Sequence, residues 1–133
     1  MPIFVERLAD EPILIAVYTG HITLEEVLDM YHTSAELIGD DPRVFHRISD
    51  TRGATSDFAA MLKLVQAASQ ATAGSSIDSH IQVTYVGTTT WIKFLRDTFA
   101  KRGVLMPAFE DMETALESVR YRIATESSST PTT

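Results

Sequence analysis

The sequence predicts an α/β fold, a single mostly parallel five-stranded sheet with helices packed on it, and three observations point there. Apolar runs rich in β-branched residues alternate with segments whose apolar residues recur at helical spacing. The connections between successive strands are long enough to carry a crossover helix, which makes parallel pairing the economical arrangement. The chain has 133 residues, 44% hydrophobic and 22% charged, the size and composition of one globular domain with one core.

Taken in order, an opening strand around residues 3–8 is separated by Pro12 from "ILIAVY" (13–18), a continuous apolar run expected to be buried on both faces. The next segment, "TLEEVLDMYHTSAELIG", has Thr23 followed three residues later by Glu26, a capping box. Leu24, Val27, Leu28, Tyr31, Ala35 and Ile38 then fall at helical spacing, and Gly39 closes the helix. "RVFHRIS" (43–49) reads as a strand interrupted on both faces, with His46 beside Val44 and Ile48, and Arg47 beside Phe45 and Ser49. An unpaired buried guanidinium costs on the order of several kcal/mol, so this strand is expected at an edge or partly open, with His46 simply packed. Pairing of Arg47 with Asp50 is the sharper alternative. Phe58, Met61, Leu62, Val65 and Ala68 line a second helix ending near Gly74. A strand at 80–86, a helix at 90–102 ending in Gly103 and a short strand "VLMPAF" (104–109) follow. Met112, Ala115, Leu116, Val119 and Ile123 mark the last helix. "TESSSTPTT" is small and polar, so residues 1–124 are expected to form the single domain and 125–133 a disordered tail.

Charge and cysteine content narrow the function classes. Lys and Arg total 11 against 18 Asp and Glu, a net charge of -7, which leaves no source of phosphate neutralisation. Nucleic acid and anionic membrane surfaces are therefore poor partners. The absence of cysteine excludes disulfides, a thiolate zinc site and a thiol nucleophile. His21, His32, His46 and His80 are scattered without pairing at helical spacing, so neither a metal site nor a cofactor is expected. "MPIFVERLADEP" has acids within a few residues and no long apolar run, hence reads as neither signal peptide nor membrane span, with a cytoplasmic location as the default.

Gly87-Thr88-Thr89-Thr90 resembles a phosphate loop only superficially, because a Walker loop needs a second glycine and a lysine that are not at the required spacing. A flavin-phosphate loop is expected after the first parallel strand instead. A nucleophilic threonine needs a base in reach, and His80 lies at the far end of the strand, roughly 20 Å away at about 3.3 Å per residue. Helix capping by the hydroxyls is the expected role, with a small anion or polar ligand as the alternative. Ligands of open α/β sheets collect at the carboxyl ends of strands, which here carry His21, Asp50, Arg52, Thr88 and Thr89. With the strands ordered third, second, fourth, fifth, the crevice lies between His21 and Thr88. That location assigns no reaction, and an enzyme is the third reading. Trp91, Ile92, Phe94, Leu95 and Phe99 spread over about 160° of their helix, against about 100° for an ordinary apolar stripe. Trp91, Phe94, Leu95 and Phe99 are accordingly candidates for a self-association surface, a partner groove or the wall of a small apolar pocket.

The order β-β-α-β-α-β-α-β-α, "VYTGHITLEEV" after the second strand, "ISDTRG" after the third and "PAFEDMETALESV" at the end resemble the STAS family, and in particular small stand-alone domains similar to bacterial anti-sigma-factor antagonists. The resemblance covers residues 3–123 and is carried mainly by the patterns G-x-I-T-x-E-E and F-E-D-M-E-T-A-L. It implies a binding or regulatory module without a cofactor, in which partner proteins contact the end of the sheet; the chain is accordingly read as a non-enzymatic module acting through protein contacts, with a homodimer as one form of them. In some members one serine at the start of the helix after the third strand is phosphorylated. Ser56, with Thr55 beside it, stands near that position, although the family's usual Asp-Ser-Ser-Gly pattern is missing. The plain reading of both is a helix N-cap. A small apolar-ligand or lipid-binding domain is the alternative function.

Overall fold

The structure, a computed structural model, describes residues 3–68 and 80–128. Its elements are β1 (Ile3–Arg7), β2 (Ile13–His21), α1 (Leu24–Ile38), β3 (Phe45–Thr55), α2 (Phe58–Ala68), β4 (Ile81–Val86), α3 (Thr90–Ala100), β5 (Ala108–Phe109) and α4 (Met112–Ser128). The strands lie in the order β1-β2-β3-β4-β5, with β1 antiparallel to β2 and every other pair parallel. The sheet is therefore mixed, with β1 as its one antiparallel strand. This order corrects the expectation that β2 separates β3 from β4. Each connection between the described strands advances by one strand, so among the described residues the order never reverses and there is no switch-point crevice.

The alternation of side chains along the strands divides the core into two layers. Ala16 and Tyr18 of β2 and Val83 and Tyr85 of β4 face α1, α2 and α3, where they meet Met30, Tyr31, Val65, Ile92 and Phe99. Ile13, Ile15, Ile48 and Val86 face the opposite way and are covered by Ala115 and Val119 of α4. Among the described residues three helices thus cover one face and a single helix the other.

β3 is central, between β2 and β4, and this corrects its expected edge position. His46 and Arg47 are both fully buried. The guanidinium is tolerated because it is held inside: its Nη1 donates to Ser34 Oγ at 3.2 Å, and its carbon sits 5.3 Å from the centre of the Tyr31 ring. Arg47 does not pair with Asp50, which lies on the other face and binds Arg52 instead.

The short strand is two residues long, where six were expected. Pro107 cannot donate to a ladder, and its carbonyl accepts from Tyr85 N at 2.8 Å as the pairing begins. Asp111 caps α4, its Oδ1 accepting from Thr114 N at 2.7 Å. That helix continues to Ser128, four residues into the stretch assigned to the tail, with Thr125 bonding back to the carbonyl of Tyr121 at 2.8 Å. Residues 129–133 and the expected end of α2 near Gly74 lie outside the described residues.

Candidate functional site

The carboxyl ends of β2, β3 and β4 carry the residues singled out from the sequence. His21 ends β2 opposite Thr55, and its Nε2 lies 3.7 Å from Asp57 Oδ2, both side chains being exposed. Asp50 and Arg52 form a two-pronged pair, Arg52 Nε to Oδ1 at 3.0 Å and Nη2 to Oδ2 at 2.8 Å. The hydrogen bonds from Arg52 hold the Asp50 carboxyl below its ordinary range against a smaller opposing effect of burial, and the same pairing raises the guanidinium. These two groups are engaged with one another. Because β3 runs between β2 and β4, His21 and Thr88 do not share the expected crevice.

Thr89 occupies the N-cap position of α3 in extended conformation, yet its side chain makes no capping hydrogen bond. Thr88 is likewise exposed. The role at this turn belongs to Gly87. It takes φ +123°, and a Cβ there would lie 2.6 Å from Thr51 Oγ1, which itself donates to Val86 O at 2.9 Å. The glycine lets β4 turn away tightly against the third strand.

At the start of α2 the cap is Asp57, whose Oδ1 accepts from Ala60 N at 2.7 Å, which corrects the expectation that Ser56 or Thr55 caps this helix. The carboxylate outcompetes the hydroxyls because it accepts a charge-assisted bond and sits at the positive end of the helix. Thr55 instead closes β3, where its carbonyl accepts from Ile22 N at 3.0 Å. Ser56 is half-buried between the two elements, its Oγ 3.5 Å from the Asp57 carbonyl.

Trp91, Leu95 and Phe99 are buried in the core of their own domain, and Phe94 is half-buried against the same core. Trp91, Leu95 and Phe99 also line a cavity of about 30 Å³ with Tyr18, Tyr31, Thr51 and Tyr85. A space of that size holds a water or two. The indole Nε1 of Trp91 is buried with no hydrogen-bond partner among the described residues. Burial raises the pKa of the Tyr18 and Tyr85 hydroxyls above the ordinary tyrosine value, with the charge of Arg47 acting the other way. Sequence reasoning passed over these tyrosines as core residues. The available signal was that Tyr18 and Tyr85 share with Arg47 the inward register of three adjacent strands.

Under α4 lies a second polar cluster. His46 Nε2 is 3.7 Å from Glu126 Oε2, and Arg122 Nη2 donates to Thr84 Oγ1 at 2.8 Å. Burial, and then the charge of Arg122, depress the imidazole pKa, while Glu126 raises it. Among the described residues no group of three or more His, Cys, Asp or Glu side chains could hold a metal ion, and no helix is long and apolar enough to cross a membrane.

Solved structures share this architecture. An uncharacterized protein of the DUF3478 family from Shewanella loihica PV-4, described as having a SpoIIAA-like fold, superposes with a TM-score of 0.58 over 86% of this chain and 90% of its own, at 15% identity. The anti-sigma factor antagonist SpoIIAA in its unphosphorylated form gives 0.58 over 89% of this chain and 97% of its own, at 12% identity. The fold is SpoIIAA-like. An anti-sigma factor antagonist from Mycobacterium paratuberculosis matches with a TM-score of 0.52, at 14% identity over 89% of this chain and 92% of its own. No family model and no curated protein sequence matches the chain. What these likenesses share with this SpoIIAA-like domain is the strand-and-helix scaffold.

Proposed function

We propose that this chain is a non-enzymatic regulatory module that acts through protein contacts, switched by phosphorylation of Ser56 or Thr55 at the junction of β3 and α2. Its SpoIIAA-like fold supports the reading, since one structure of this fold is an anti-sigma factor antagonist described in its unphosphorylated form. The observation that carries it is the arrangement around Ser56. Asp57 caps α2 from the next position and lies 3.7 Å from His21. A phosphate on Ser56 brings close to two negative charges beside that carboxylate, competes for the free N–H groups of the helix, and draws His21 towards itself. One covalent change thereby rearranges the cap, the end of β2 and the surface a partner meets. The test is phosphosite mapping by mass spectrometry on protein purified from its own host, with Ser56→Ala and Thr55→Val alongside. Phosphate at residue 55 or 56 that disappears in the matching variant supports the switch. Phosphate found only elsewhere on the chain overturns it.

A further inference from the structure

Among the described residues β1 forms one edge of the sheet and has β2 as its only strand neighbour. Leu8 N donates to Ile13 O, which fixes the phase of the antiparallel ladder. Because hydrogen-bonded pairs alternate, Phe4 and Glu6 exchange bonds with β2, while Ile3, Val5 and Arg7 point their N–H and C=O groups away from the sheet. A groove of about 210 Å³ runs along this edge beneath α1, lined by Ile3, Phe4, Val5, Glu26, Asp29 and Met30 among others. Its wall is acidic. Glu26 Oε2 is buried there with no hydrogen-bond partner among the described residues. On the opposite face of the strand Phe4 is 64% exposed, because α4 packs across β3, β4 and β5 and leaves the first strand bare.

We propose that this edge accepts an extended peptide strand in which cationic and apolar residues alternate. The backbone of such a strand pairs with the outward groups of Ile3, Val5 and Arg7. Side-chain alternation then dictates the pattern. Residues opposite Ile3 and Val5 project toward α1, where Lys or Arg meets Glu26 and Asp29. Residues opposite Phe4 project to the other face and cover its ring. A second copy of the chain is disfavoured as occupant, since it brings a further -7 of charge to an acidic groove. This inference rests on the protein-interaction reading and gives it a partner chemistry. It uses none of the β3–α2 junction, so the two tests fail separately.

The experiment is an NMR titration of the ¹⁵N-labelled full chain with acetyl-Lys-Val-Lys-Val-Lys-Val-amide, against the same peptide with Glu replacing Lys. The lysine peptide is expected to shift the amides of Ile3, Val5 and Arg7, and the glutamate peptide to leave them unmoved. Glu26→Gln is expected to weaken binding about two- to fivefold, the scale of one partly exposed ion pair. Val5→Pro removes an outward N–H that the fold does not use, and is expected to abolish binding with the circular dichroism unchanged. Should that variant not fold, Glu26→Gln decides. Equal response to both peptides, no response to either at millimolar concentration, shifts scattered over the acidic surface without β1, or folded Val5→Pro that still binds would each overturn the proposal. So would a free chain of doubled mass in sedimentation with its β1 amides protected, which assigns the edge to a second copy.

Discussion

At the scale of single residues, the positions that matter most are those where the sequence breaks its own pattern. Gly87 reads in the sequence as the first letter of a threonine-rich loop, and in the fold it is the point where β4 meets Thr51 of β3. Replacing it with alanine forces a Cβ to 2.6 Å from Thr51 Oγ1 and also demands a positive φ of a residue that rarely takes one. Gly87→Ala is expected to destabilise the domain by about 1–3 kcal/mol in urea unfolding. The double variant with Thr51→Ala should cost less than the sum of the single changes, because removing the hydroxyl relieves the collision and leaves only the backbone term. Additive costs would show that the collision contributes nothing. Arg47 teaches the converse lesson. Its charge argued for an open strand, yet a hydroxyl and an aromatic face supplied by α1 let it sit in the middle of the sheet. No rule applied to the third strand alone could find those groups, because they lie 13 and 16 residues away in the sequence.

At the scale of elements, local chemistry was legible wherever the chain speaks only to itself. The capping box at Thr23 and Glu26 is present in part, Glu26 N donating to Thr23 Oγ1 at 3.3 Å, and Gly39 closes α1 with φ 56°. The cap of α2 was misread because Thr55, Ser56 and Asp57 are all capping residues in a row. The choice among them depends on where β3 ends, and pairing of Thr55 with His21 carries that strand further than its apolar pattern does. Asp57→Ala should therefore cost about 1 kcal/mol of stability, while Ser56→Ala should fall within about 0.5 kcal/mol. Chemical denaturation of the two variants side by side distinguishes them. A larger loss for Ser56→Ala would return the cap to the serine. The aromatic face of α3 was legible as an apolar arc, and its width reflects packing on the sheet and on neighbouring helices at once, which periodicity alone cannot apportion.

At the scale of the whole molecule, the fold class and the order of the elements followed from pattern, whereas strand order and the division into layers did not. Those are set by which helix covers which face, a choice made between distant parts of the chain. The single helix on the second face has a consequence for pH. His46 lies buried beneath it with its pKa held below the ordinary 6.5, chiefly by burial. The unfolded chain therefore takes up a proton at that position more readily than the folded one does, so stability falls as pH drops through 6.5 toward the folded value. Above pH 7 the imidazole is neutral in both states and the contribution is flat. Urea midpoints measured between pH 7.5 and 5 should decline in the wild type, and more shallowly in His46→Leu. Parallel declines would remove His46 from the account.

The sequential order of strands also bears on how the polypeptide is made. Each αβ unit emerging from the ribosome finds its sheet neighbour already synthesised, and no strand has to be threaded between two others later. The layer beneath α4 is different. Ile13, Ile15, Ile48 and Val86 belong to segments synthesised before the helix that covers them. Until that helix emerges, the nascent domain carries a bare apolar sheet face of the kind that chaperones hold, and its vulnerability to aggregation is concentrated in that interval of translation.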